Sequence, residues 1–302
     1  MHELRIKDIN TFTVGFSRPD DEFKFGRLVA ERFKTRHQEI LIQPRQLENL
    51  LEKIAWHMDE PLADGGAIAT YLASGRIKEF VKVVLVGEGG DEALGGYNWH
   101  KLAAFPFNLL PRYYRKKIYQ YLVTYYKKRS EEPMRIFLEL FPKKKGFFDA
   151  MALFELKNIV SNSILMKVDK MTMAHSLEAR VPFLDHNFLS CALGLSFREK
   201  VSFKTTKKVL RKLMKDKLPL AILKRKKHGF LLPVHEWLEK DLRNFAQDIL
   251  ISNNRYTNSL VGNQEIRGLF KRRKGFALVE NSSLLWRLLI FELWYKVYFK
   301  QG

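Results

Sequence analysis

The chain has 302 residues, 46% hydrophobic and 13% aromatic, enough to bury a sizeable core and to exclude a disordered polypeptide. Its 53 Lys and Arg against 33 Asp and Glu give a formal charge of +20, so its field draws anions: nucleotides, nucleic acid or an acidic membrane surface. One cysteine excludes an internal disulfide and points to a reducing, cytoplasmic setting; Cys191, in the apolar "FLSCALGLS", reads as a buried, inert thiol.

The opening "MHELRIKDIN" has no apolar run of the kind export requires. "INTFTVGF" (9 to 16) reads as a buried strand stopped by Ser17, Arg18 and Pro19. "DEFKFGRLVAERFKT" has helical periodicity at Phe25, Leu28, Val29 and Phe33. "HQEILIQP" is a second strand closed by Pro44, "RQLENLLEKIAWHMDEP" a helix ending before Pro61, and "GAIATYLASGRIKEF" a third helix leading into the strand "VKVVLV". Strands separated by helices imply a parallel sheet flanked by helices, an α/β class. Beyond residue 97 helical segments dominate, so residues 1–97 form an α/β part and 98–302 a mainly helical part, with 127–146 as an exposed connection.

At the end, "SSLLWRLLIFELWYKVYFK" is interrupted by Arg287, Glu292 and Lys296, which predicts a helix docked on the body rather than a membrane span. The basic residues cluster in "YYRKKIYQYLVTYYKKR", "FPKKKGFF", "KTTKKVLRKLMKDK", "LKRKKHG" and "FKRRKGF", interleaved with aromatics that could stack on single-stranded nucleic acid. No nucleic-acid motif accompanies them, and basic helices commonly snorkel over apolar surface, which is the favoured reading. The histidines show no zinc spacing.

"VVLVGEGGDEALGGY" (83 to 97) ends a β-branched run in glycines interleaved with Glu88, Asp91 and Glu92. Ligands of parallel sheets bind beyond the carboxyl ends of strands, where Gly87, Gly89 and Gly90 allow close backbone approach. Asp91 could hold Mg²⁺, which takes one or two carboxylates beside phosphate oxygens and waters; a glycine-rich turn capped by acidic residues is the plainer alternative.

In "MKVDKMTMAHSLEARVPFLDHNFL", Asp169, Met173, Ser176 and Arg180 fall at helical intervals and share a face, while Glu178 and Arg180 adjoin an apolar run and each calls for a partner. Pro182 breaks the helix and Asp185 follows in the turn. In "FKTTKKVLRKLMKDKLPLAILKRKKHGFLLPVHEWL", Lys207 and Arg211 project from one helical face, placed to neutralise phosphoryl charge, although lysine-rich helices are usually solvated faces.

Together and in this order, these segments resemble the synthetase domain of the asparagine synthetase family, whose turn reads S-G-E-G-x-D-E-x-F-G-G-Y; "TFTVGF", "MDEPLADGGAIATYL" and "LLWRLLIFELW" match too. The resemblance implies an adenine-nucleotide α-hydrolase-like fold of ATP-pyrophosphatase type. It implies ATP and Mg²⁺ as cofactors, aspartate as the carboxylate substrate, and ammonia delivered from glutamine by a separate glutaminase domain. A homodimer is among the assemblies it allows. By carry-over, Val14, Val86 and Gly87 contact the nucleotide, Glu88 assists the adenylate, and Asp91 holds Mg²⁺. Lys207 stabilises the pyrophosphate or the adenylation transition state, and Asp169, Glu178, Arg180 and Asp185 shape the acceptor pocket. Relatives that amidate other carboxylates or close a β-lactam ring remain alternatives, as does a basic binding remnant.

Two family features are not found in these residues: the glutaminase domain with its leading cysteine, and the S-G-G-x-D-S pyrophosphate loop with its strand. The expectation is an N-terminally truncated domain with an unpaired sheet edge that binds ATP weakly and does not turn over alone. Val86 stands where the family usually has serine.

Overall fold

The computed structural model describes residues 1–104, 111, 113, 117, 147–225, 229, 232–251, 256–271 and 276–299. The connection expected at 127–146, and much of the basic clusters at 113–129, 141–148, 223–229 and 270–276, lie outside the described residues. The chain forms two compact units that interleave along the sequence. The first comprises 1–83, 167–178 and 229–302; the second comprises 84–166 and 179–228.

In the first unit, β1 (Asn10–Gly15) and β2 (Arg36–Leu41) pair in parallel, in register from Asn10↔Arg36 to Gly15↔Leu41. The crossover is α1 (Phe23–Phe33), ended by Lys34 in a left-handed conformation whose N–H returns to the Ala30 and Glu31 carbonyls. The expected helix from Arg45 begins later. Pro44–Gln46 form only a 3₁₀ turn, closed by reciprocal Gln43 and Gln46 bonds, and α2 spans Leu51–Met58. Asp64 caps α3 (Gly65–Ile77) by accepting the Gly66 N–H at 2.8 Å, while Lys167 Nζ holds its other oxygen at 2.7 Å.

The predicted helical face from Asp169 to Arg180 is not continuous. The helix Met166–Met173 stops, Ser176 turns at φ 55°, and the chain enters β4 (Glu178–Arg180). A left-handed residue cannot continue a right-handed helix, so Asp169 and Arg180 share no face.

The expected docked helix is Phe276–Phe299. Leu285, Trp286, Leu288, Leu289, Ile290 and Leu293 are all buried, as in a helix enclosed by its own unit. It packs on α2 and on the helices Val234–Glu239, Arg243–Ile251, Tyr256–Val261 and Asn263–Leu269. Its buried Glu292 accepts the Thr257 N–H at 2.8 Å, the Thr257 hydroxyl at 2.9 Å and the Tyr256 N–H at 3.3 Å, satisfying orphan donors of the Tyr256–Val261 helix. Among the described residues no helix is long and apolar enough to cross a membrane.

β3 (Val83–Leu85) pairs with β4 in a sheet separate from β1–β2, so the single flanked sheet expected is divided into two two-stranded sheets. The bonds Glu178 N–H to Lys82 O and Val86 N–H to Arg180 O advance together along both chains, the parallel pattern. β3 is not the buried strand its β-branched run suggests: Val83 is 54% and Leu85 49% exposed. Its partner strand is only three residues long, too short to cover it. Each strand of these pairs keeps one edge without a strand partner among the described residues.

In the second unit, α4 (Gly90–Leu94) seats Ala93 and Leu94 against Ala192, Phe183, Leu189 and Leu210. Cys191 is exposed, correcting the expectation of a buried thiol: the helix His186–Gly194 turns Ala192 and Leu189 inward, which directs the neighbouring Cys191 outward.

Candidate functional site

The turn after β3 depends on two glycines. Gly89 has φ 81°, and a Cβ there would overlap the Leu184 side chain. A Cβ on Gly96 would overlap Asp91 Oδ1 and Lys207 Cε, so glycine brings backbone flush against those two side chains. Lys207 Nζ lies 2.9 Å from Asp91 Oδ1, the side chains 28% and 23% exposed: sheltered enough to be weakly screened, open enough to meet a ligand.

Lys207 does not project from a helix face as expected. It precedes the helix Lys208–Leu213 at φ 51°, ψ 40°, a left-handed geometry costing a non-glycine residue about 1–2 kcal/mol. Its own N–H bonds the Gly95 carbonyl at 3.3 Å, which helps hold that geometry. Strain retained beside a charged pair is a feature of functional sites. Arg211 lies within the helix, and its guanidinium donates to the carbonyls of Thr206 (3.0 Å), Leu223 and Arg225 (3.1 Å). It therefore ties the segments flanking Lys207 rather than placing a second charge beside it.

Next to Asp91 the sequence reading missed a buried polar network. Glu92, 2% exposed, accepts a 2.5 Å hydrogen bond from the Tyr97 hydroxyl. His100 Nε2 and Glu155 Oε2, both fully buried, are 3.2 Å apart. Glu155 opens a π-helical segment, Glu155–Leu165, a rare geometry that recurs at functional sites. Burial, then the carboxylates of Glu92 and Asp91, push the Glu155 pKa well above the ordinary carboxylate range. Burial and Glu92 likewise push the Tyr97 phenol up. Glu92 and Tyr97 stood in the glycine-rich motif, but 55 residues separate His100 from Glu155 and no local pattern links them.

Of the other expected site residues, Val86 and Glu88 are half-buried and Gly87 exposed within the same turn. Val14, half-buried near the end of β1, belongs to the first unit, as do Asp169 and Glu178. Asp169, Glu178, Arg180 and Asp185 are all exposed, so the charges on β4 face no burial penalty of the kind expected. Asp185 accepts the Asn187 and Phe188 N–H groups at 3.0 and 3.1 Å, the part of a helix N-cap.

No three His, Cys, Asp or Glu side chains gather as a metal cage among the described residues. Asp91 offers a single half-exposed carboxylate, which suits Mg²⁺ because that ion retains waters and completes its shell with phosphate oxygens.

The family model for asparagine synthase matches residues 1–296. Glutamine-hydrolysing asparagine synthetase 1 of Bacillus subtilis is 28% identical over 332 residues, covering 96% of this chain and 52% of that protein. A putative glutamine-hydrolysing asparagine synthetase of Mycobacterium tuberculosis is 29% identical, covering 95% of this chain and 50% of its own length. A putative asparagine synthetase of Methanocaldococcus jannaschii is 39% identical over 95 residues, 32% of this chain and 18% of that protein. The chain spans about half the length of the first two relatives.

Proposed function

The chain belongs to the asparagine synthase family, a family of ligases, and from that premise we propose that the turn at 86–97 and Lys207 serve ATP-dependent amide synthesis on aspartate. The aspartate side-chain carboxylate attacks the α-phosphorus of ATP. The bond from that phosphorus to the bridging oxygen breaks, pyrophosphate leaves, and an acyl-adenylate remains. Ammonia, released from glutamine as the relatives' names indicate, attacks the acyl carbon; AMP departs with the bonding electrons, and loss of a proton gives the amide.

A carboxylate is a poor electrophile, and adenylation supplies its leaving group; the protein's part is positioning and charge neutralisation. The Lys207 ammonium, fixed by its left-handed backbone and by Asp91, meets the charge that grows on departing pyrophosphate. Arg211 holds Lys207 in place through the Thr206, Leu223 and Arg225 carbonyls. Backbone at Val86 and Gly87 borders the nucleotide, and Glu88 assists formation or breakdown of the adenylate. Asp91 would hold Mg²⁺, which would supply further charge neutralisation at the phosphates. Arg180 borders the acceptor; Asp185 acts first as a helix cap. Because no S-G-G-x-D-S loop lies among these 302 residues, by themselves they are expected to bind ATP weakly and not to turn over.

The observation that carries the reading is the Asp91–Lys207 pair pressed against glycine backbone at the strand tip. The test is pyrophosphate release from ATP with aspartate and ammonia, in the longest natural polypeptide containing residues 1–302. Asp91→Asn should lower the rate about 100-fold, the scale of one lost electrostatic group. An unchanged rate overturns the assignment. A panel of other carboxylic acids, assayed alongside, tests the choice of aspartate.

A further inference from the structure

The first unit contains a cleft of about 540 Å³ that includes none of the residues assigned to amide synthesis. Its walls are β2, α2 and α3: Tyr71 and Phe80 supply aromatic surface, Lys53 and Arg76 supply cations, and Gln38 and His175 supply neutral polar groups. That volume and mixture, apolar walls with a few convergent polar groups, is the form of a small-molecule site.

The charge around the cleft is unbalanced. Lys53 has no ion-pair partner among the described residues, while the acidic residues nearby are already engaged: Glu39 with Arg27 at 2.6 Å and Glu79 with Arg76 at 3.1 Å. His175, its ring 4.4 Å from that of Tyr71 and tilted by 53° to it, has a buried Nε2 without a hydrogen-bond partner among the described residues. Burial, then Lys78, Lys53 and His57, push its pKa down, with the Tyr71 backbone pulling the other way. Glu39 also lines the cleft but is held by Arg27, and Arg76 is shared with Glu79, so Lys53 carries the uncompensated charge.

We propose that this cleft binds a small aromatic carboxylate, its ring against the exposed Phe80 and its acid group on Lys53, with Arg76 shared between it and Glu79. The negative charge opposes the effect of Lys53 and Lys78 on His175, so binding favours the protonated imidazole and tightens as pH falls. This site is separate from the proposed amide-forming chemistry and stands or falls without it.

The test is calorimetric titration of the 302-residue chain with 2-naphthoate, with naphthalene-2-methanol as the ring without charge and acetate as the charge without ring. Saturable binding of 2-naphthoate, at least tenfold tighter than either control, is expected. Lys53→Met and Arg76→Met, both at exposed positions and therefore compatible with folding, should each weaken it about tenfold, the scale of one charge-assisted contact. The NMR titration midpoint of His175 should rise when the probe is bound. Equal affinity for the uncharged ring, indifference to both substitutions, or an unmoved His175 midpoint overturns the proposal. A far-ultraviolet dichroism spectrum that matches the unsubstituted chain establishes that each variant is folded.

Discussion

The two units handle buried charge differently. In the first, the buried ionisable side chain among the described residues is Glu292, and its carboxylate is fully occupied by helix-end donors. In the second, Glu92, His100, Glu155 and Lys200 are all buried, beside a strained Lys207. Lys200 is 2% exposed, and burial lowers its pKa against the opposing pull of Asp149 and Glu199. One unit places charge where backbone needs it; the other retains unfavourable groups close to its proposed chemistry. Several buried charged groups gathered near one site mark function better than any single motif.

The sharpest way to break this contrast is Lys207→Ala. Pyrophosphate release in the intact enzyme should fall about 100- to 1,000-fold, as for removal of one transition-state charge partner, with little change in urea midpoint. A loss of stability without a loss of rate would make Lys207 structural.

The opposite outcome is expected for Glu292→Ala. Leaving the Thr257 and Tyr256 donors buried without an acceptor should cost about 3 kcal/mol in urea unfolding while KM for ATP stays unchanged. A raised KM would blur the division between the units.

The pH dependence separates them by sign. A buried carboxyl whose folded pKa is raised, such as Glu155, binds its proton more tightly in the folded state. Its stabilising contribution is therefore full below about 4.5 and is lost as pH climbs toward the raised value. His57 and His175 have lowered folded pKa values, from burial first and then nearby lysines, so their contribution is present above about 6.5 and is lost as pH falls below it. Amide hydrogen exchange followed from pH 5 to 8 should show the second unit loosening as the first tightens. Glu155→Gln should flatten the trend in the second unit alone.

The smallest effect sharpens the strain argument. At φ 51°, Lys207→Gly should be about 0.5–1 kcal/mol more stable than Lys207→Ala while equally inactive, because only glycine occupies that backbone region freely. Equal stabilities would mean that no strain is held at Lys207.

Periodicity made β1, α1, β2 and α3 legible, because each follows a two- or 3.6-residue apolar repeat and ends at a residue suited to stopping it. The motif at 83–97 likewise marked Asp91 before any geometry was known. Spacing misled where one residue left the regular backbone. Ser176 ends the helix that would have aligned Asp169 with Arg180, and Lys207 sits outside the helix that would have aligned it with Arg211. Cys191 and β3 were misread for another reason: apolar neighbours along the chain do not guarantee apolar neighbours in space.

By itself, then, the sequence determined the family and the order of the early strands and helices, and it supplied the carboxylates and lysine of the proposed site, since these depend on residue identity and local period. Only the tertiary structure decided that Lys207 meets Asp91, that Arg211 turns to backbone carbonyls, and that Glu155 reaches His100. Those partners lie many residues apart, and Coulomb and hydrogen-bond energies depend on distance in space rather than along the chain.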